Sequence, residues 1–298
     1  MGTFHLTDGG LETTLIFRQG VDLPLFAAFP LVLDDAGRGV LRTYWQPYIE
    51  LVGDTGSSFI VDTATWRANP DWASQLGYDA HRLAGANQAA VAFAREIASE
   101  MGGAKVNGVV GPRGDGYVAG EIMTPDQAET YHSPQVEVLA EAGADQVTAI
   151  TFTNSQEAVG FVRAAQRVGV PAVVSFTVET DGRLPNGDSL QGAVEEVDNA
   201  TDRAAAGFMV NCAHPTHFVD VLEDGPWLER ITGVRANAST MSHSELDAAE
   251  ELDAGDPHDL AARYLYLLDR LPALAVLGGC CGTDHRHISA IHEACCAS

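Results

Sequence analysis

Eight short apolar, β-rich runs recur along this chain, each followed by a stretch of helical character. They fall at Phe4–Asp8, Ser58–Thr63, Val106–Gly111, Gln146–Thr151, Ala172–Thr177, Phe208–Asn211, Thr232–Asn237 and Ala275–Gly278. Amphipathic candidates lie between them, at Arg82–Met101, Pro125–Ala142, Ser155–Val168 and Leu260–Leu271. In the first of these, Val91, Ala94, Ala98 and Met101 share one face, with Arg95 and Glu96 off it. Pro171 precedes a strand and Pro125 opens a helix, places where a missing N–H is tolerated. Strands alternating with helices imply βα units around a parallel sheet. Eight such units in 298 residues predict an α/β fold, a (β/α)8 TIM barrel, as a single domain over residues 1–298. The rival is a doubly wound open sheet. That fold wants a Gly-rich phosphate loop after its first strand, and Asp8-Gly9-Gly10-Leu11-Glu12-Thr13 is a poor match.

Composition narrows the function. Apolar residues make up 46 % and charged residues 19 %, enough for a sizeable core. The net charge of −24 repels phosphate backbones and anionic lipid, so neither nucleic acid nor a membrane surface is expected as a partner. Lys105 is the only lysine and sits in neither a P-loop nor a Schiff-base context. The N-terminus has no basic stretch followed by an apolar region, so no signal peptide is expected. Leu6 stands where a myristoylated Gly2 would want Ser or Thr. No apolar run approaches the roughly 18 residues of a membrane span. These features point to the cytoplasm, where thiols stay reduced. The five cysteines are therefore read first as ligands, nucleophiles or core residues. Whether the chain forms a homo-oligomer stays open.

In a barrel, the C-terminal strand ends converge on the active-site face. Here they read Asp8-Gly9-Gly10, Asp62-Thr63, Gly111-Pro112, Thr151, Thr177 to Glu179, Asn211-Cys212, Asn237 and Gly279-Cys280-Cys281. Cys212, Cys280 and Cys281 would meet at one mouth. Three thiolates suit Zn²⁺ and leave a fourth position open, the catalytic pattern. The flanking glycines would permit the unusual backbone that adjacent ligands need. Two buried core cysteines plus an unrelated third, or a strained vicinal disulfide, are the alternatives. A zinc with three thiolates activates water weakly but holds an incoming thiol as thiolate. The natural reaction is attack by substrate sulfur on an alkyl group, most simply a methyl.

These residues resemble a known family. Val210-Asn211-Cys212 and Gly278-Gly279-Cys280-Cys281-Gly282-Thr283 resemble the two zinc motifs of the homocysteine S-methyltransferase family. Asp8-Gly9-Gly10-Leu11-Glu12-Thr13 resembles that family's N-terminal signature, and the order matches from Asp8 to Ile288. The resemblance implies a zinc-dependent (β/α)8 barrel that moves a methyl from a sulfonium, betaine or folate to homocysteine, giving methionine. It implies Cys212, Cys280 and Cys281 as zinc ligands, Asp8 on the substrate amino group, and the Gly9 and Gly10 amides on its carboxylate. Asn211 would support the site. S-methylmethionine or S-adenosylmethionine is the expected donor; no cobalamin domain is expected, so the chain does not resemble the large folate-dependent enzyme. Methionine biosynthesis is the implied setting.

Two departures touch substrate recognition. Many members carry Glu-Thr at the end of strand four, where this chain has Ile150-Thr151. Glu179 is the expected replacement, or else a solvated loop acid. The family's Pro-Asn-Ser-Gly-Glu-like stretch after strand seven is replaced by Arg235-Ala236-Asn237-Ala238-Ser239-Thr240. Thr63 and Thr151 complete the expected substrate contacts. Asp62 and Trp66 are further pocket candidates, with Trp66 suited to pack on a cationic donor. The rival functions are a zinc barrel acting on another thiol, a zinc hydrolase, and a non-catalytic barrel binding an amino acid or zinc.

Other residues read more plainly. His214 and His217, around Pro215, are expected to cap a helix or lie on its surface rather than bind metal. Cys295 and Cys296, with His287 and His292, make a weak second metal candidate at a chain end. The seven acids between Ser242 and Asp259 are expected to form a solvated face, with a lid over the site as the alternative.

Overall fold

The computed structural model describes residues 4–296; residues 1–3, which include the Gly2 considered for myristoylation, and residues 297–298 lie outside the described residues. Eight parallel strands close into a barrel in sequence order. They are β1 (His5–Leu6), β2 (Ser58–Asp62), β3 (Lys105–Val110), β4 (Gln146–Phe152), β5 (Ala172–Phe176), β6 (Gly207–Asn211), β7 (Ile231–Ala236) and β8 (Val276–Gly279). Closure comes from β8 pairing with β1, His5 opposite Val276 and Leu6 opposite Leu277. The barrel is therefore confirmed and the open sheet excluded. β1 is shorter than the predicted Phe4–Asp8, yet the ladder continues irregularly: Thr7 N–H donates to Leu277 O (2.9 Å) and Gly279 N–H to Asp8 O (2.9 Å).

Eleven α-helices occur among the described residues: α1 (Leu11–Gln19), α2 (Asp35–Thr55), α3 (Pro70–Gln75), α4 (Ala80–Glu100), α5 (Pro125–Glu141), α6 (Ser155–Val168), α7 (Leu190–Ala200), α8 (Pro215–Phe218), α9 (His243–Asp247), α10 (Pro257–Arg270) and α11 (His285–Cys295). Their ends follow local chemistry. Asn154 caps α6 by accepting from Glu157 N–H, and Gly169, at φ +75°, ends it. Thr124 and Gln127 form a reciprocal capping box at α5, with Pro125 in the first turn. Asp256 caps α10, so that helix starts three residues before the predicted Leu260.

The outward faces of the strands and the inner faces of the helices bury one continuous apolar core. Its aromatic members include Phe152, Phe161, Phe176 and Phe208, all fully buried. Each such ring contributes about 1.5–3 kcal/mol on leaving water. The bore of the barrel is polar. Asn107 donates to Asp62 (2.7 Å) and accepts from the Thr148 hydroxyl (2.7 Å). Two irregularities shape the upper rim. The β4–β5 register shifts between Ala149 and Phe152, and Thr151 within that bulge sits at φ +65°. After β6 the full-length helix of a regular βα unit shrinks to the single turn α8 and short 3-10 turns.

Candidate metal centre and adjoining cavities

The chain leaves β6 at Asn211 and turns at once. Cys212 adopts φ +55°, a left-handed conformation that costs a non-glycine residue about 1–2 kcal/mol. Three hydrogen bonds hold it there. Its N–H donates to Arg235 O (3.1 Å), and its carbonyl accepts from Asn237 Nδ2 (3.0 Å) and His243 Nε2 (2.6 Å). Cys280 is placed by its N–H on Ala236 O (2.8 Å), and Cys281 by its carbonyl, which accepts from Ala238 N–H (3.1 Å). The strand carrying this pair must pass very close to β1. A Cβ on Gly278 would stand 1.8 Å from Thr7 Oγ1, so only glycine fits.

The three Sγ atoms lie within 4.8 Å of one another, with Cys212 and Cys281 3.5 Å apart. Among the described residues this is the only such group of three or more His, Cys, Asp or Glu side chains. All five cysteines are free thiols, so no vicinal disulfide forms. Cys295 and Cys296 pack against the apolar core and join no metal cluster.

Asn211 ties the centre to the bulge in β4. Its Oδ1 accepts from Thr151 N–H (2.9 Å) and the Ser175 hydroxyl (2.6 Å); its Nδ2 donates to Thr151 Oγ1 (2.8 Å) and approaches Cys280 Sγ at 3.9 Å. Tyr117, from the loop after β3, reaches over the thiols. Its hydroxyl stands 3.1 Å from Cys212 Sγ and 3.6 Å from Cys281 Sγ, and its ring packs on His243 at 4.4 Å. Burial and the nearby Cys212 push its phenol well up, so it stays protonated.

The thiols do not ionise alike. Cys280 is held well below the usual thiol range, first by hydrogen bonds from the Cys212 and Cys281 thiols and then by the Arg235 guanidinium. Cys212 and Cys281 are pushed well up by the neighbours they face. Without a cation, then, the cluster carries one thiolate comfortably and resists a second and third. Its chemistry calls for a soft cation.

Arg235, seen in the sequence only as part of a departure, is the centre's main cation. It donates through Nη2 to Asp8 Oδ1 (2.6 Å), through Nη1 to Asp62, and through Nε to Gly279 O (3.2 Å). Burial pulls its guanidinium down, but Asp62 and Asp8 outweigh that and hold it above its usual value. Asp8 also accepts from the Tyr44 hydroxyl (2.7 Å). Even so, burial pushes its carboxyl up to about 7.

A cavity of about 70 Å³ lies beside the thiols. Asp8, Gly9, Gly10, Thr63, Thr151 and Asn211 line it, six of the predicted substrate contacts. Glu179 is absent from its walls; it pairs with His243 at 3.2 Å. The amides of Gly9 and Gly10 are engaged within the fold, on the Tyr48 hydroxyl (3.0 Å) and Thr283 O (3.1 Å). A second cavity, about 290 Å³, adjoins the first and shares Thr13, Phe26, Trp66, Tyr117 and Cys281 with it. His243, Leu246 and Leu252 of the acidic insertion wall it, while Asp247, Glu251 and Asp253 stand on its exposed rim. The insertion is thus both a solvated face and a cover. Trp66 lines both cavities, but Arg67 lies over its ring at 4.2 Å, the position expected for a cationic ligand. His214 caps α8 and His217 meets Thr240 O (2.9 Å), as predicted; neither binds at the thiols.

A closed (β/α)8 barrel with three free thiols gathered at its C-terminal mouth defines a barrel enzyme with a sulfur-rich centre. The homocysteine S-methyltransferase family model matches residues 5–295, so the chain belongs to that family of methyltransferases. Homocysteine S-methyltransferase 2 of Arabidopsis thaliana is 25 % identical, covering 98 % of this chain and 93 % of that protein. Selenocysteine Se-methyltransferase of Brassica oleracea var. italica is also 25 % identical, covering 98 % and 89 %. In structure the chain is similar to the metallated form of the homocysteine methyltransferase MmuM from Escherichia coli. The TM-score is 0.74 at 20 % identity, over 98 % of this chain and 96 % of that one, a likeness of fold.

Three positions escaped the sequence reading. Arg235 was legible only as a charge inside an apolar strand. Tyr117 lies in a Gly-rich loop without periodicity. Glu12 hides in the first turn of α1, yet its side chain lines the thiol cavity.

Proposed function

We propose that this chain transfers a methyl group from a sulfonium donor, S-methylmethionine or S-adenosylmethionine, to the thiol of homocysteine, giving methionine. Zinc held by Cys212, Cys280 and Cys281 is the implied cofactor. The convergence of the three thiols carries the reading. Sulfurs about 2.3 Å from a tetrahedral zinc stand about 3.8 Å apart, close to the 3.5 Å between Cys212 and Cys281. When bound, zinc supplies the charge that ionises the incoming thiol.

The chain's own groups do the rest. Asp8, Gly9 and Gly10 deliver the start of α1 to the cavity, where the positive end of the helix suits the acceptor's carboxylate. Thr63, Thr151 and Asn211 shape the wall next to the thiols. Glu179 acts on the site through His243, which fixes the Cys212 carbonyl. The larger cavity, with Phe17, Phe26 and Tyr117 on its wall and acids on its rim, suits a bulkier cationic donor. The substrate sulfur attacks the methyl carbon as the bond to the donor sulfur breaks. The electron pair returns to that sulfur, leaving a neutral thioether, and the thiol proton goes to water. A cytoplasmic role in methionine biosynthesis suits a centre that needs reduced thiols.

A zinc hydrolase fits less well, because hydrolytic sites favour His and carboxylate ligands and all three donors here are sulfur. The test combines metal analysis with a methionine assay. About one zinc per chain is expected, together with protection of three thiols and methionine formed from homocysteine and S-methylmethionine. A Cys280→Ala variant that kept its zinc and its activity would refute the proposal.

A further inference from the structure

We infer that Glu12 is the carboxylate that receives the acceptor's α-ammonium group, and so makes an amino-acid thiol the preferred substrate. The inference rests on the thiol-acceptor reading above. It follows from an inventory of the charges in the smaller cavity, whose carboxylates are Asp8, Glu12 and Asp62.

Two of the three are already engaged. Asp8 takes Arg235 on one oxygen and the Tyr44 hydroxyl on the other. Asp62 takes Arg235 on one oxygen and Asn107 on the other. Glu179 lies elsewhere, paired with His243, and Ile150 lines the cavity without charge. Glu12 differs. Among the described residues, no other residue forms a hydrogen bond or ion pair with its carboxylate. Its one backbone partner is its own amide. Arg67, the cation whose charge acts on it, is occupied: its guanidinium lies over the Trp66 and Trp72 rings, at 4.2 and 3.6 Å, and donates to Gly114 O (3.1 Å). Glu12 is half-buried, a carboxylate so withdrawn from water without a cation is disfavoured, and that environment pushes it up to about 7. A primary ammonium brings the missing charge and three N–H donors. The proposed donors carry an α-ammonium too, but the larger cavity that suits them does not have Glu12 on its walls.

The test compares homocysteine with 4-mercaptobutyrate, the same thiol acid without the amino group. Wild type, Glu12→Gln and Glu12→Ala are assayed for methyl transfer, and calorimetry measures binding of each thiol to the zinc-loaded chains. In Glu12→Gln the preference for homocysteine should fall about 10- to 100-fold, mostly through KM, the scale of one charge-assisted hydrogen bond. Zinc content and the donor's KM should not move. Equal losses for both thiols, or a change confined to the donor's KM, overturn the inference. If homocysteine binds with a preference that Glu12→Gln erases, yet no methyl moves, the inference stands and the methyltransferase reading falls. A wild-type chain that binds both thiols equally overturns it as well.

Discussion

Replacing Arg235 by Met removes the cation that joins β7 to Asp8 and Asp62 while keeping much of the side chain's apolar stem. Arg235 is 7 % exposed and Asp8 2 %, so water screens little of the loss. Breaking a buried ion pair from one side costs about 3–5 kcal/mol, because the partner charge is left unpaired. The loss should depend on pH in a fixed sense. Asp8 already sits at about 7 with Arg235 beside it, and removing that guanidinium raises it further. A carboxyl raised in the folded state bears its full penalty above the folded value. The penalty fades as pH falls toward the unfolded value, about 3.9. Each unit of extra shift weighs about 1.4 kcal/mol. The gap between variant and wild type should therefore be largest at pH 8 and shrink by about 1–3 kcal/mol at pH 5.5. The assay is urea unfolding of the reduced, metal-free chains, followed by both tryptophan fluorescence and far-UV circular dichroism so that two-state behaviour is checked. A loss under about 1 kcal/mol at pH 8, or an equal loss at both pH values, refutes the reasoning.

Two further outcomes are expected. Asn211→Ala strands the Thr151 amide and the Ser175 hydroxyl in a buried site, costing about 3 kcal/mol in thermal or urea unfolding. It should also weaken zinc about 10- to 100-fold in a chelator competition, as loss of a ligand-orienting residue does. Tyr117→Phe removes the hydroxyl lying against two thiols, so Cys212 and Cys281 of the metal-free chain should react several-fold faster with Ellman's reagent. Unchanged rates would mean the hydroxyl shields nothing.

All eight strands were legible because each is a compact apolar run between polar turns, and four of them begin or end where the pattern does. The helices were legible where amphipathic: Ser155–Val168 matches α6 to the residue. The missed α2 explains the limit. It carries Gly37, Gly39 and Pro47 within its 21 residues, local breakers that packing of Leu41, Tyr44, Trp45 and Tyr48 overrides. The thiol trio was readable because cysteine at a strand end is chemically distinctive and a barrel brings those ends together. Arg235, Tyr117 and Glu12 were not. Their roles depend on what faces them across the barrel mouth, and spacing along the chain carries no record of that. Glu179 shows the same limit from the other side, since its proximity to β5 in sequence does not bring it into the cavity.

The pairing of β8 with β1 and β7 has a consequence for how the enzyme matures. Cys212 is synthesised long before Cys280 and Cys281, and only the docking of that last strand brings the sulfurs together. A nascent chain still awaiting its final strand offers a metal at most one of the three donors. On the proposed zinc reading, acquisition of the ion would follow ring closure, and a half-made polypeptide would be spared from trapping it in the wrong place.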